Sequence, residues 1–332
     1  MVALKVIEAT WPINSEAILN TMNALPLCIS LGETPPGGPS LRSVELDFLF
    51  GVCRLAEPIK YSYALPLTIA LIGAGVTLLL HLALYFTGGG IYTLIARTLP
   101  ESRISLRRFN PLPVAANQVR SEVVAALTTI VVYSFVGSAL FLLMFYEVPP
   151  FRIATEFLGA THRVILVCGM ILLHDTYFYW MHRLLHHPWM FRRIHSKHHN
   201  SQTPTVWAAY AFSPIEGFLH GAFLLVAPFV IEVDLTSMVL FLSVQMAFNA
   251  WGHCGLAAYL DNWRPYPILN WVNTPGHHNA HHGGCRGNYG LYFRLWDHIM
   301  GTECAPWTRR GGDDLGPHDR DMTSPIAKPT TS

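Results

Sequence analysis

The chain has 332 residues, of which 51% are hydrophobic and only 13% charged, against about a quarter charged in ordinary soluble domains. Its 22 Lys and Arg nearly cancel its 21 Asp and Glu, which excludes the strongly basic balance of a nucleic-acid-binding protein. Low charge and high apolar content also argue against a soluble globule and predict an all-α, polytopic integral membrane protein.

Residues 1–60 read as a peripheral N-terminal region, with the turn-rich linker "GETPPGGPS" at 32–40. Residues 1–25 lack a basic stretch followed by an apolar core, so no cleaved signal peptide is expected. The first predicted span, "ALPLTIALIGAGVTLLLHLALYF" at 64–86, carries no formal charge and can cross about 30 Å of hydrocarbon. His81 within it has no second histidine at helical spacing and is expected to be a satisfied or interfacial group. "GGG" at 88–90 is expected to break the helix. The following loop holds Arg97, Arg103, Arg107, Arg108 and Arg120, a positive cluster of the kind that stays cytoplasmic.

A second span is predicted at 123–146, ended by Pro149 and Pro150, and a third from Val164 to Trp180. The third flows into "HRLLHHPWMFRRIHSKHH" (182–199), six histidines in eighteen residues. Two crossings after the arginine loop return the chain to the same side, which predicts a cytoplasmic, histidine-rich cap. Residues 217–231 and 235–252 are expected to form a helical hairpin, with a re-entrant segment as the alternative for the shorter arm. The membrane domain with its cap is thus expected to cover 61–305, and 306–332 to be a flexible tail. The six cysteines show no C-x-x-C spacing and are expected to be isolated thiols.

Three clusters have nearly the same spacing: His182-x-x-x-His186-His187; His195-x-x-His198-His199; and His278-x-x-His281-His282, preceded by His277. Helical positions i, i+3 and i+4 share a face, so each cluster can aim two or more imidazoles at one point. The doubled histidines add a second direction about 100° away, as two neighbouring metal ions would require. Eight or nine imidazoles exceed what one tetrahedral zinc uses. Burying them with no ligand would leave many polar atoms unmatched.

His174 and Asp175 lie upstream on the same predicted helix, with Asp175 placed to accept the N–H of a ligand histidine. His253 ends the last apolar stretch and is a further candidate ligand, with Asn249 four residues before it. His162, His220, His298 and His318 stand alone and are expected at surfaces or interfaces. Asp297 is expected to pair with a cap arginine. Trp180, Trp207, Tyr210 and Tyr292 are expected to wall a lipid cavity or to form an interfacial belt. The arginine patches suit anionic headgroups or an acidic electron carrier. H-E-x-x-H, G-x-S-x-G, the dinucleotide fingerprint and the phosphate-binding loop are all absent. Two other classes stay open on the residues alone: a histidine-rich membrane metal transporter or metal-binding protein, and a haem-binding electron carrier.

"HDTYFYWMHRLLHH", "RRIHSKHH", "TPTVWAAYAFSPIEG" and "HHNAHHGGCRGNYGLYFRLWDHIMGTE" together resemble the sterol desaturase / fatty acid hydroxylase superfamily of membrane di-iron oxygenases. The resemblance covers about residues 120–305 and is greatest to the C-5 sterol desaturase-like branch. It implies a membrane enzyme that binds two iron ions in a cytoplasmic cap and uses O2. Electrons would come from an external donor: cytochrome b5-like, ferredoxin-like or a reductase. Such enzymes hydroxylate or desaturate sterols, fatty acids or related lipids, in the endoplasmic reticulum of a eukaryote or the inner membrane of a bacterium. Carried onto this chain, the implied metal ligands are His174, His182, His186, His187, His195, His198, His199, His253, His278, His281 and His282. The chain departs from the family at Asn249, where some members have a further histidine, and at Ser213, where "AFHP" is common.

Overall fold

The computed structural model describes residues 65–98, 114–146, 148–151, 159–202, 204–255 and 269–304. The expected peripheral region, its linker, Cys28, Cys53, Arg103, Arg107, Arg108, and the tail with His318 lie outside the described residues. The chain divides into two units, Met1–Thr68 and Ile69–Ser332, and the histidine clusters all fall in the second.

The main helices are α1 (Leu65–Thr98), α2 (Ala116–Phe145), α3 (Ala160–Leu185), α4 (Pro214–Gly221), α5 (Leu235–Gly252), α6 (Pro275–His282) and α7 (Leu295–Ile299). Four of them, α1, α2, α3 and α5, are long and apolar enough to cross a membrane; even α5, with 18 residues, is about 27 Å long at 1.5 Å per residue. Among the described residues no strand forms; Val272 and Phe293 make a single antiparallel bridge. The protein is therefore an all-helical, polytopic membrane protein.

Each span has an inner and an outer face. Tyr85, Ala126, Ile130, Tyr133, Tyr210 and Met246 pack in one core that joins α1, α2 and α5. Met170, Phe223, Phe241 and Leu242 form a second, between α3 and α5. Leu79, Val131, Phe135, Val164, Ile165 and Leu172 stay exposed. In water such a belt of large apolar groups would be unstable; against lipid it is the expected exterior.

The triple glycine does not end the first helix, which continues unbroken to Thr98. Its role is close packing. A Cβ on Gly89 would stand 2.6 Å from the Trp207 ring, and one on Gly88 3.4 Å from Met246. Helical continuity costs about 1 kcal/mol per glycine, offset here by the contact with Trp207. The 217–231 stretch also departs from a continuous hairpin arm: α4 is followed by separate short turns at Phe223–Val226 and Ala227–Phe229, the latter interrupted by Pro228.

Helix starts are set by side chains readable in the sequence. Asp234 accepts from the Thr236 and Ser237 amides at the head of α5, Thr274 from His277 at α6, and Ser213 from Glu216 at α4. Pro214 and Pro275 stand in the first helical turn, where no amide is needed.

Candidate metal centre

The first cluster sits at the end of α3, with His182 in its last turn and His186 at its C-cap. Pro188 then opens a sharp sequence of turns, Pro188–Met190, the π-helical Phe191–His195, and Ser196–His199, which folds the second cluster back over the first. α6 brings in the third, and its residues are buried from Pro275 to His282. His253 enters from the C-cap of α5.

The imidazoles sort into two groups. His182, His186, His195, His199 and His281 form one; His198, His253, His278 and His282 form the other, with the ligating atoms of each group within 4.8 Å of one another. The consecutive pairs split: His198 and His282 serve one group, His199 and His281 the other. The groups are neighbours, since the rings of His199 and His282 stack at 4.7 Å.

Ring tautomers show what each group is built to hold. A neutral imidazole has one N–H and one lone pair. The Nδ1–H of His182 donates to the Tyr289 carbonyl (2.9 Å), that of His281 to Gly287 (2.7 Å), that of His253 to Asn249 (2.7 Å) and that of His282 to Ser201 (2.9 Å). The Nδ1–H of His195 donates to the Glu216 carboxylate at 2.6 Å. Each of these rings therefore turns an Nε2 lone pair inward. His182 Nε2 and His195 Nε2 face each other at 3.2 Å, and His195 Nε2 lies 3.1 Å from both His186 Nε2 and His199 Nε2. In the second group His278 Nε2 lies 2.9 Å from His253 Nε2 and 3.1 Å from His282 Nε2. Opposed lone pairs in a dry interior repel unless a cation lies between them. Metal–nitrogen bonds of about 2.0–2.1 Å place neighbouring donors about 3.0–3.4 Å apart, so the residues fit a metal ion in each group.

Burial keeps these rings neutral and ready to ligate. It pushes His186 down to about 2, and His253 and His281 to about 4. His195, His198, His199, His278 and His282 lie well below the ordinary imidazole range, first through desolvation and then through neighbouring imidazoles.

Other candidates are placed elsewhere. His174, two helical turns before His182, belongs to neither group; its Nδ1 pairs with the Tyr292 hydroxyl at 2.9 Å. His187 is exposed where α3 has already ended. His277 faces Thr274 (2.7 Å) and Arg294 (3.3 Å). Among the described residues Asp175 hydrogen-bonds to no histidine; its Oδ1 accepts the Tyr292 and Phe293 amides at 3.0 and 3.2 Å. Among the described residues Asp297 pairs with no arginine but accepts Tyr289 N, Gly290 N and Thr302 Oγ1 at 2.9, 2.8 and 2.7 Å. The two carboxylates thus clamp the 287–293 loop, whose carbonyls fix His182 and His281. Gly287 is required there, because a Cβ would meet the Thr302 carbonyl oxygen at 1.8 Å. Cys285 and Cys304 form a disulfide beside this loop, which corrects the expectation of isolated thiols. Asn288 also ties these two segments together, pairing with the Cys304 backbone at 2.8 and 3.2 Å.

Two buried carboxylates escaped the sequence reading. Glu216 sits in "SPIEG", a Ser-x-x-Glu helix-start signature that already accounts for it locally, yet its side chain turns to His195. Glu122 is buried on α2 and receives the Thr205 hydroxyl and the Gln118 amide, anchoring the segment after the second cluster. His220 is likewise no surface group; it packs on Phe212 and Phe178 at 4.5 and 5.2 Å.

Buried, neutral imidazoles gathered at the ends of membrane helices define a membrane protein with two adjacent metal-capable sites. The fatty acid hydroxylase family model matches residues 167–302. Human lathosterol oxidase is 32% identical over 213 residues, 62% of this chain and 68% of that protein. The mouse lathosterol oxidase is 34% identical over 161 residues, 48% of this chain and 51% of its own length. A Delta(7)-sterol 5(6)-desaturase of Gibberella zeae is 32% identical over 141 residues, 41% of each chain. No solved structure matches the chain. The chain belongs to the fatty acid hydroxylase family, in its sterol desaturase branch, and is an oxidoreductase.

Proposed function

We propose that the chain is a di-iron oxidoreductase that desaturates or hydroxylates a sterol, using O2 and electrons from an external donor. The observation that carries this reading is the splitting of consecutive histidines between two adjacent all-imidazole groups. The names of the relatives support a sterol substrate. Two iron ions, when bound, would supply O2 activation and the oxidation of an unactivated C–H bond. Five of the ligands proposed, His182, His186, His195, His199 and His281, would hold one ion, and His198, His253, His278 and His282 the other. His174 and His187 fall outside this set.

The chain's own groups hold the ligand geometry. Glu216 and the Tyr289, Gly287, Asn249 and Ser201 carbonyls keep the proton on Nδ1 and the lone pair on Nε2. Burial excludes water from the centre. A transport role has less support, because the histidines gather at one end of the spans rather than along a crossing path.

A cytoplasmic cap, in the endoplasmic reticulum of a eukaryote or the inner membrane of a bacterium, and a cytochrome b5-like, ferredoxin-like or reductase donor complete the reading. A reducing cytosol works against the Cys285–Cys304 bond, so sided thiol labelling of an introduced cap cysteine tests that placement directly. The activity is tested by lipid profiling of a sterol-containing host with and without the chain. One sterol should gain a double bond or an oxygen, and His198→Ala should abolish the change. Unchanged lipids in a host that makes the metal-loaded protein would overturn the proposal.

A further inference from the structure

Beside the two histidine groups lies a cavity of about 30 Å³ lined by residues of α1, α2, α3, α4 and α5. Its apolar walls include Val136, Phe223, Leu224, Phe241 and Leu242; Tyr210 and Gln245, which hydrogen-bond to each other at 3.1 Å, and His81, Tyr133, His174 and His220 also line it. The last four side chains come from four different helices, and none belongs to a metal-capable group.

Their hydrogen bonding is incomplete. His81 donates Nδ1–H to the Thr77 carbonyl at 2.9 Å, which leaves Nε2 as a lone-pair acceptor. His174 uses only Nδ1, toward the Tyr292 hydroxyl. Among the described residues the Tyr133 hydroxyl makes no hydrogen bond, and His220 reaches only Glu216, at 3.9 Å, too far for one. Tyr133 and His81 are 7% and 3% exposed, so bulk water does not serve them. Their free polar atoms face the cavity, so whatever fills it completes their hydrogen bonds.

The donor and acceptor pattern selects its chemistry. An acceptor at His81 Nε2 requires an occupant that donates; the Tyr133 hydroxyl can donate in return. An alcohol does both, a carbonyl only accepts, and a hydrocarbon does neither. The volume takes a small polar group, a hydroxyl with room for a further water, and not a ring system. The cavity is one aromatic layer from the metal groups: Phe212 stacks on His220 at 4.5 Å and lies 5.0 Å from His198, while Phe178 lies 5.2 Å from both His182 and His220.

We infer that this cavity seats the hydroxyl group of the lipid substrate, with His81 accepting from it and Tyr133 donating to it. The inference rests on the sterol reading above and adds to it the group by which the substrate is held. Anchoring the hydroxyl here brings the carbons near that end of the molecule, rather than its far tail, toward the histidine groups.

Full-length, iron-loaded protein in nanodiscs provides the test, with radiolabelled Δ7 sterol, its 3-ketone and its 3-deoxy analogue as probes. The wild type should bind the alcohol about tenfold more tightly than either analogue. Tyr133→Phe and His81→Phe should each bring the three affinities together while iron content stays at the wild-type level. Equal binding of the three ligands by the wild type, or a preference that survives both substitutions, would show that the cavity holds only water and overturn the inference. Oxidation of the sterol without any such preference would leave the proposed function standing and remove the pocket alone. No binding of any of the three would remove the sterol reading and the pocket's ligand together.

Discussion

His195 and Glu216 form a sealed pair: Nδ1 lies 2.6 Å from Oε1, with side-chain exposures of 1% and 0%. Of the fixed rings in the two groups, His195 is the one backed by a carboxylate; His182, His253, His281 and His282 are backed by carbonyls. A carboxylate is the stronger acceptor and raises the basicity of Nε2. Glu216→Ala should weaken metal binding about 10–100-fold. Glu216→Gln, which retains an acceptor oxygen, should lose less. Chelator competition on purified protein measures both, and an unchanged affinity in the alanine variant would contradict the role assigned to Glu216.

Asp297 acts at one remove. It ties down Tyr289 and Gly290, and the Tyr289 carbonyl holds His182. Asp297→Ala frees two buried amides and should cost about 2–4 kcal/mol, read as a lower unfolding temperature. Metal occupancy should fall with it. Full occupancy after a loss of stability would show that the 287–293 loop does not orient His182.

Most of the fold was legible because its signals are strong and local. α5 falls on the predicted 235–252, and the three histidine clusters announced a shared centre by their spacing of three or four residues followed by a doubled histidine. What stayed hidden depends on distant partners. The triple glycine reads as a helix end until Trp207 is seen against Gly89. Glu216 and Asp297 carry no signal that tells which group they meet across 21 and 8 residues. His174 and His187 share the cluster's composition, but the helix geometry turns them elsewhere, and Cys285 with Cys304 has no spacing that marks a pair.

The glycine run offers a paired test. Gly89→Ala forces a Cβ to 2.6 Å from Trp207, whereas a Cβ on Gly90 meets nothing within 4 Å. The first should destabilise by about 1–3 kcal/mol, and the second should stabilise slightly through helix propensity. Thermal unfolding in detergent compares them. Equal effects would mean that Trp207 does not pack on Gly89.

Acid should loosen the cap before it affects the spans. In the unfolded chain histidine titrates near its ordinary value of 6.5, while in the folded metal-free protein His253 and His281 are held to about 4. Between those values the unfolded state binds protons that the folded state does not, so stability falls as pH drops. Each such histidine contributes up to about 1.4 kcal/mol per pH unit. Stability of the metal-free protein should be flat above about pH 7 and decline steadily below 6.5. A pH-independent melting temperature from 7 down to 4 would contradict the burial of neutral imidazoles.

The central claim is that these imidazoles make two metal sites rather than one, and counting iron in variants of each tests it most directly. The wild type should carry two iron ions per chain, one for each group. His199→Ala and His282→Ala, each cutting one group, should lower the content toward one and remove different signals from the Mössbauer spectrum. A wild type with one iron or none, or two variants that lose the same signal, would contradict it.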